Sequence, residues 1–253
     1  MHKTSDLYKE LLGDYRAGKN NVHVRTEVLY GPADYPAYYT PFGYTEQSLL
    51  EVKTSRRLFA GDEPSIGNCC SGSISVKLIE DPVNKFPLKG TKIRPSVCLT
   101  DDKRKSESIS KGVFYIDTIK RKSTSGGETI LHITGYDAIM YMERNYKDDL
   151  YQTKDIDIIR GIKTRLMGLG INIDLDEESL KLINRGFTIQ NPWRVYSCRE
   201  LLQYIGAMYG GNFIMNDDGA LQFVLLTSAP VITGYLASNT GAALTVGGVR
   251  IRV

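Results

Sequence analysis

The sequence predicts an α+β protein: an antiparallel β-barrel or sandwich joined to a smaller α/β unit of helices and a β-hairpin. Three observations predict it. Residues 48–134 fall into short alternating runs separated by turn-forming clusters, the pattern of an antiparallel barrel or sandwich. After Gly135 the apolar spacing lengthens to the helical period. Residues 197–226 then read as a capped helix, a glycine stop and a hairpin. The chain divides accordingly: 1–136, a helix with a β-barrel-like domain; 137–226, an α+β domain; 227–253, a segment whose closing strand is expected to return to the β domain.

Ser5 to Tyr15 reads as a short helix with Leu7, Leu11 and Leu12 on one side. Asn21 to Tyr30 alternates, Val22, Val24 and Val28 facing one way. Residues 31–43 carry three prolines and, with Tyr44, the four tyrosines Tyr35, Tyr38, Tyr39 and Tyr44. Such a stretch cannot be regular structure and is expected to be a tyrosine-lined contact loop, because tyrosine buries area with little rotamer loss. Its rings could equally cover the chain's own sheet.

Leu49 to Phe59 and Ser71 to Ile79 are strands, the second with Ile74, Val76 and Leu78 inward. Thr91 to Leu99 carries Pro95, which lacks a ladder donor, so an edge strand or a bulge is expected. Gly112 to Lys120 and Glu128 to Thr134 form a hairpin around Ser123–Gly127. Asp137 is placed to cap a short helix, and Thr153 or Asp155 a longer one containing Ile156, Ile159, Ile162 and Leu166. Ile171 to Leu175 is a short strand and Asp176 to Asn184 a third helix. Ser197 and Glu200 have capping-box spacing, in which each side chain bonds the other's backbone N–H. Leu201, Leu202, Ile205, Met208 and Tyr209 share the face that follows, and Gly210-Gly211 ends it. Asp218-Gly219 predicts a type I′ turn between the last two strands. Val249, Ile251 and Val253 alternate with arginines as a closing strand, for which the Pro95 edge is one candidate partner.

Composition narrows the function classes. Lys+Arg 32 against Asp+Glu 29 is a net +3, so overall charge implies no polyanion surface. No apolar run approaches the roughly 18 residues of a membrane helix, and the start shows no signal-peptide pattern. Cys69, Cys70, Cys98 and Cys198 form no CxxC pair, which fits reduced, buried thiols and no structural zinc. His2, His23 and His132 lack carboxylate or cysteine neighbours at ligand spacing. No nucleophile elbow, zinc-protease or phosphate-loop motif occurs. The acids at 148–157 and 174–178 lack EF-hand order and suit helix N-termini. The basic runs Arg56-Arg57 and Lys120-Arg121-Lys122 read as solvated strand ends. No catalytic residue, metal ligand or cofactor is expected, and neither is enzymatic activity.

Several strings point further. SCRELLQYI, GGNF and the D–G–L of the hairpin, LYKELL near the start, SIGNCCSGSISV, GVFYIDTIKRK with LHITGYDAIMYME, and VGGVRIRV occur in one consistent order over residues 5–253. In these strings the chain resembles the baseplate hub proteins of phage tails and phage-tail-like bacteriocins. The resemblance implies a tube-like β-barrel domain and a structural protein of the virion or tail-like particle, made in the host cytoplasm. It implies a homo-oligomer, a trimer, whose ring joins the tail tube to the central spike and touches other baseplate proteins. It implies no membrane partner and no specific nucleic-acid binding. Hubs of this family carry two tube-like barrels; this chain has strand sequence for one. Readings from other classes are a tail-associated lysin that cleaves peptidoglycan, and a carbohydrate-binding protein at the tail tip.

Overall fold

A serine hydroxyl starts the first element. Ser5 accepts from the amide of Tyr8 at the head of α1 (Asp6–Arg16), and its own amide donates to Glu107 at 2.6 Å. Leu11 is fully buried against Val22 and Leu99, which seats the helix on the sheet. The computed structural model describes residues 4–19, 22–31, 42–44, 49–80, 89–146, 150, 153–183, 188, 195–226, 245–246 and 249–250.

Alternation then builds one antiparallel sheet from β1 (His23–Gly31), β2 (Phe42–Tyr44), β3 (Leu49–Ser55), β4 (Ser73–Ile79), β5 (Lys92–Thr100), β6 (Ile109–Ser110), β7 (Phe114–Ser123) and β8 (Thr129–Tyr136). The hydrogen-bonded order is β2-β1-β5-β7-β8-β4-β3, with β6 alongside β5. β4 shows the rule cleanly, burying Ile74, Val76 and Leu78 and turning Ser73, Ser75 and Lys77 outward. The buried face gathers Val28, Ile74, Val76, Leu78, Ile93, Phe114, Ile116, Leu131 and Ile133 into one core. Val24, expected inward, is 44% exposed.

Among the described residues β2 and β3 are not paired, so the sheet does not close into a barrel by hydrogen bonds. Val28 of β1 and Val76 of β4, four places apart in the strand order, nevertheless share one core, which fits the sandwich alternative.

Pro95 is not on an edge. β5 pairs with β1 along its whole length. On its other side it pairs with β7 at Lys92 and Ile93, and with β6 at Ser96 and Val97. Pro95 sits where the partner changes, and its carbonyl accepts from Lys111. A strand residue points N and O to the same side, so the missing N–H falls in the gap between the two partners and no ladder bond is lost.

The second unit has its own core. The 3-10 turn Ala138–Glu143 starts from Asp137, whose side chain accepts from Ile139. Next come α2 (Asp155–Met167), β9 (Asp174–Leu175), α3 (Glu177–Leu180), α4 (Cys198–Tyr209), β10 (Gly211–Met215) and β11 (Ala220–Leu225). The residue before α2 is Lys154, which makes no side-chain cap; Asp155 stands first inside the helix, where its charge faces the positive end. The helix expected over 176–184 is regular only for the four residues of α3. The capping box of Ser197 and Glu200 is complete, and Gly210 ends α4 at φ +74°.

The hairpin turn differs from the expected type I′. Gly219 donates to the carbonyl of Asn216, and Asn216 donates to that of Ala220. Gly219 has φ +81°. This is a three-residue connection with a left-handed glycine bulge, selected because Asn216 Oδ1 also accepts from the amides of Asp218 and Ala220. β9 adds in parallel to β11. Val249–Arg250 pair with Thr245–Val246; the remainder of the closing strand, and its expected return to the β domain, lie outside the described residues.

Candidate functional site

The site that the structure assembles is a joint between the antiparallel sheet and the helix–hairpin unit. It is made by two Gly-Asn pairs, Gly67-Asn68 and Gly211-Asn212. The amide of Gly67 donates to Gly211 O at 3.0 Å, and the amide of Phe213 donates to Asn68 O at 2.9 Å. Cys69 and Phe213 form a parallel bridge. The segment before β4 is thereby added as a short strand to β10.

Two buried amides complete the joint. Asn212, fully buried, accepts from the amide of Asn68 at 2.8 Å. Its Nδ2 donates to Leu58 O and Ser65 O, both at 2.8 Å. Asn68 Nδ2 donates to the carbonyl and hydroxyl of Ser65. Each amide thus satisfies backbone groups that the sheet cannot reach, as a buried polar group must. The glycines are required by space. A Cβ on Gly67, at φ +77°, would stand 2.9 Å from Ala207 Cβ, and one on Gly211 would stand 2.4 Å from Val224 O. α4 and β11 press directly on the backbone there.

Asp137 fastens the next turn of chain. Its carboxylate accepts from the amide of Gly72 at 2.6 Å, the hydroxyl of Ser71 at 2.9 Å and the amide of Ile139 at 3.1 Å. Burial pushes its carboxyl up to about 6 although these donors favour the charged form. Arg199 of α4 donates to Cys69 O at 2.7 Å and pairs with Glu143. The far end of the hairpin is pinned separately. Arg56 reaches Asp217 at 2.5 Å and Lys111 O at 2.6 Å, and Ser110 Oγ donates to Asp217 O at 2.6 Å. The helix–hairpin unit is therefore held at its root and at its tip.

Of the sequence-predicted interface residues, Tyr35, Tyr38 and Tyr39 lie outside the described residues. The backbone of Tyr44 is in β2, opposite Val28. Sequence reading missed Asn68 and Asn212, for which the signal available was the repeated Gly-Asn pair; Arg56, read as a solvated strand end, is instead bound to Asp217 and the Lys111 carbonyl, because the hairpin tip folds onto it. Cys69, Cys98 and Cys198 are buried, Cys70 is half-buried, and all four are free thiols. Burial raises the Cys69 thiol far above its ordinary range, which makes it inert. Among the described residues no group of His, Cys, Asp and Glu is placed to hold a metal ion, and no helix is long and apolar enough to cross a membrane.

No protein-family profile matches the chain, and no curated protein matches it in sequence. Among solved structures it is similar to the 43 kDa tail protein of prophage MuSo2 from Shewanella oneidensis, at TM-score 0.49 and 10% identity, over 83% of this chain and 56% of that one. It is similar to the tail protein from Neisseria meningitidis MC58, at TM-score 0.48 and 12% identity, over 82% of this chain and 53% of that one. A third likeness is to the Francisella PdpA–VgrG complex, at TM-score 0.47 and 10% identity, over 88% of this chain and 32% of the matched one. The chain spans about half the length of the two tail proteins.

Proposed function

We propose that this chain is a non-enzymatic structural component of a phage tail or tail-like particle: a baseplate hub whose trimeric ring joins the tail tube to the central spike. One observation carries the reading. The strings that resemble the hub family are distant in sequence, yet two of them, SIGN and GGNF, form a single buried joint, with Asn68 and Asn212 bonded across 144 residues. The resemblance thus falls on the residues that set the geometry between the sheet and the helix–hairpin unit, and not on scattered surface positions. A joint fixed by satisfied amides, close-packed glycines and two ion-paired arginines suits a part that must transmit force without changing shape. Tyr35, Tyr38, Tyr39 and Tyr44 are proposed to lie at an interface of that assembly.

Mass photometry of the purified chain, alone and with a cognate spike, tests the reading. Trimers are expected in at least one condition, and monomers in both would overturn it. Turbidity assays on peptidoglycan should show no clearing; lysis would favour the lysin reading. Replacing Tyr38 and Tyr39 with Ser should leave the melting temperature unchanged and reduce assembly.

A further inference from the structure

The composition is close to neutral, but the sheet segregates its charge. On the outward face, strand register sets Lys120 of β7 beside His132 of β8, His132 beside Lys77 of β4, and Lys77 beside Glu51 of β3. The next row is Thr118, Thr134, Ser75 and Lys53. Lys122 stands two residues beyond Lys120 on the same face. Four lysines against one glutamate give this face a formal +3, as much as the whole chain carries.

Glu51 pairs with both Lys53 and Lys77, and these two cations hold its carboxyl down at about 2. The neighbouring acids are already engaged, Glu80 by Arg121 and Asp117 by Lys89. Lys120 and Lys122 make no ion pair among the described residues. Like charges on adjacent strands are destabilising by themselves. Beyond the second row, on the side away from Lys77 and Lys120, runs a groove of about 430 Å³, lined by Lys53, Ser55, Ser73, Ser75, Thr134 and Tyr136.

We propose that this face binds the phosphate backbone of nucleic acid without reading its sequence. Lys53, Lys77, Lys120 and Lys122 neutralise phosphates, and the hydroxyls of Ser55 and Ser73 donate to phosphate oxygens, those of Ser75 and Thr134 being bonded to His132 and Thr118. The chemistry of the face favours this partner over an acidic protein. Protein interfaces bury an apolar, lysine-poor centre, whereas the two central rows carry lysines, hydroxyls and one imidazole, and the apolar residues of this face, Ile130 and Ile79, lie at its margin beside Lys122. Nucleic-acid interfaces are polar and positive, as this face is. The rows carry no Arg, Asn or Gln to read base edges.

Fluorescence anisotropy with a labelled duplex of arbitrary sequence tests the proposal. Non-specific affinity of roughly 10⁻⁵ M near physiological salt is expected, with a log–log salt slope approaching about −3.6 for four phosphates. Replacing Lys120 and Lys122 together by Gln should reduce the slope by about 2, and replacing both by Arg should preserve it. Replacing Lys103 and Lys105 by Gln, in the charged turn after β5, should change nothing; thermal melts establish that each variant is folded. No binding at low salt would overturn the proposal. So would equal binding of polyglutamate, which would mark an acidic-protein face, or an equal loss of slope from the Lys103/Lys105 variant.

Discussion

Asn212 shows what one side chain does here. It is fully buried and bonds one amide and two carbonyls of the segment that precedes β4. Asn212→Ala leaves the Asn68 amide and the Leu58 carbonyl without that partner, while the Ser65 carbonyl keeps its bond from Asn68 Nδ2, which should cost about 2–3 kcal/mol in urea denaturation. Asn212→Asp should be worse at neutral pH, because a carboxylate would face two carbonyls, and should partly recover in acid, where a protonated carboxyl can donate. Asp137 gives a pH dependence of definite sign. Its folded value of about 6 lies above the ordinary 3.8, so between those values the folded chain holds a proton that the unfolded chain releases. The stability this contributes is complete below about pH 4 and is lost as pH rises through 6, on the order of 2–3 kcal/mol. Glu51, held down at about 2, gives up its contribution only in stronger acid, below this window. Between pH 5 and 7.5 the wild-type chain should lose stability relative to Asp137→Asn. A parallel pH profile for the two proteins would show that Asp137 does not titrate there.

At the scale of elements, the helix–hairpin unit is legible in the sequence because its signals are local. The capping box, the apolar face of α4 and the glycine stop act within a few residues of themselves, and all three are present, except that Met208, read onto that face, is half exposed. The turn type is not legible, because Asp-Gly satisfies two hairpin geometries and Asn216 selects the longer one by accepting two amides. The place of Pro95 is hidden for another reason. A strand that changes partners has a gap in mid-sheet, and no single-strand pattern reveals where neighbours change. Gly67 and Gly127 separate space from conformation. Both have positive φ, but only Gly67 is crowded: a Cβ there would meet Ala207 Cβ at 2.9 Å, whereas one on Gly127 would meet nothing within 4 Å. Gly127→Ala should cost about 1 kcal/mol from the left-handed backbone alone. Gly67→Ala should cost about 2–3 kcal/mol, since the contact with α4 must also open. Equal melting temperatures for the two variants would refute the crowding at the joint.

For the whole molecule, the two cores meet through few elements. The larger one takes Cys69 and Tyr115 from the sheet side, and Tyr115 stacks edge-on against Tyr141 at 5.4 Å. Cutting the joint at one point should therefore loosen the helix–hairpin unit before the sheet. In Asn212→Ala, hydrogen exchange should accelerate in α4 and β10 while β4 and β8 stay protected; uniform acceleration would mean that the two cores unfold as one.

The sequence by itself determined the α+β class, the alternating strands, the ends of α1 and α4, and the absence of any familiar catalytic motif. These follow from rules that operate over a few residues: side-chain period, capping and left-handed glycine. Only the tertiary structure decided the strand order, the place of Pro95, the pairing of two distant Gly-Asn segments and the gathering of four lysines on one face. Each of those depends on which strand lies beside which. Register acts across long separations in the chain, and a near-neutral composition carries no record of where its charges meet.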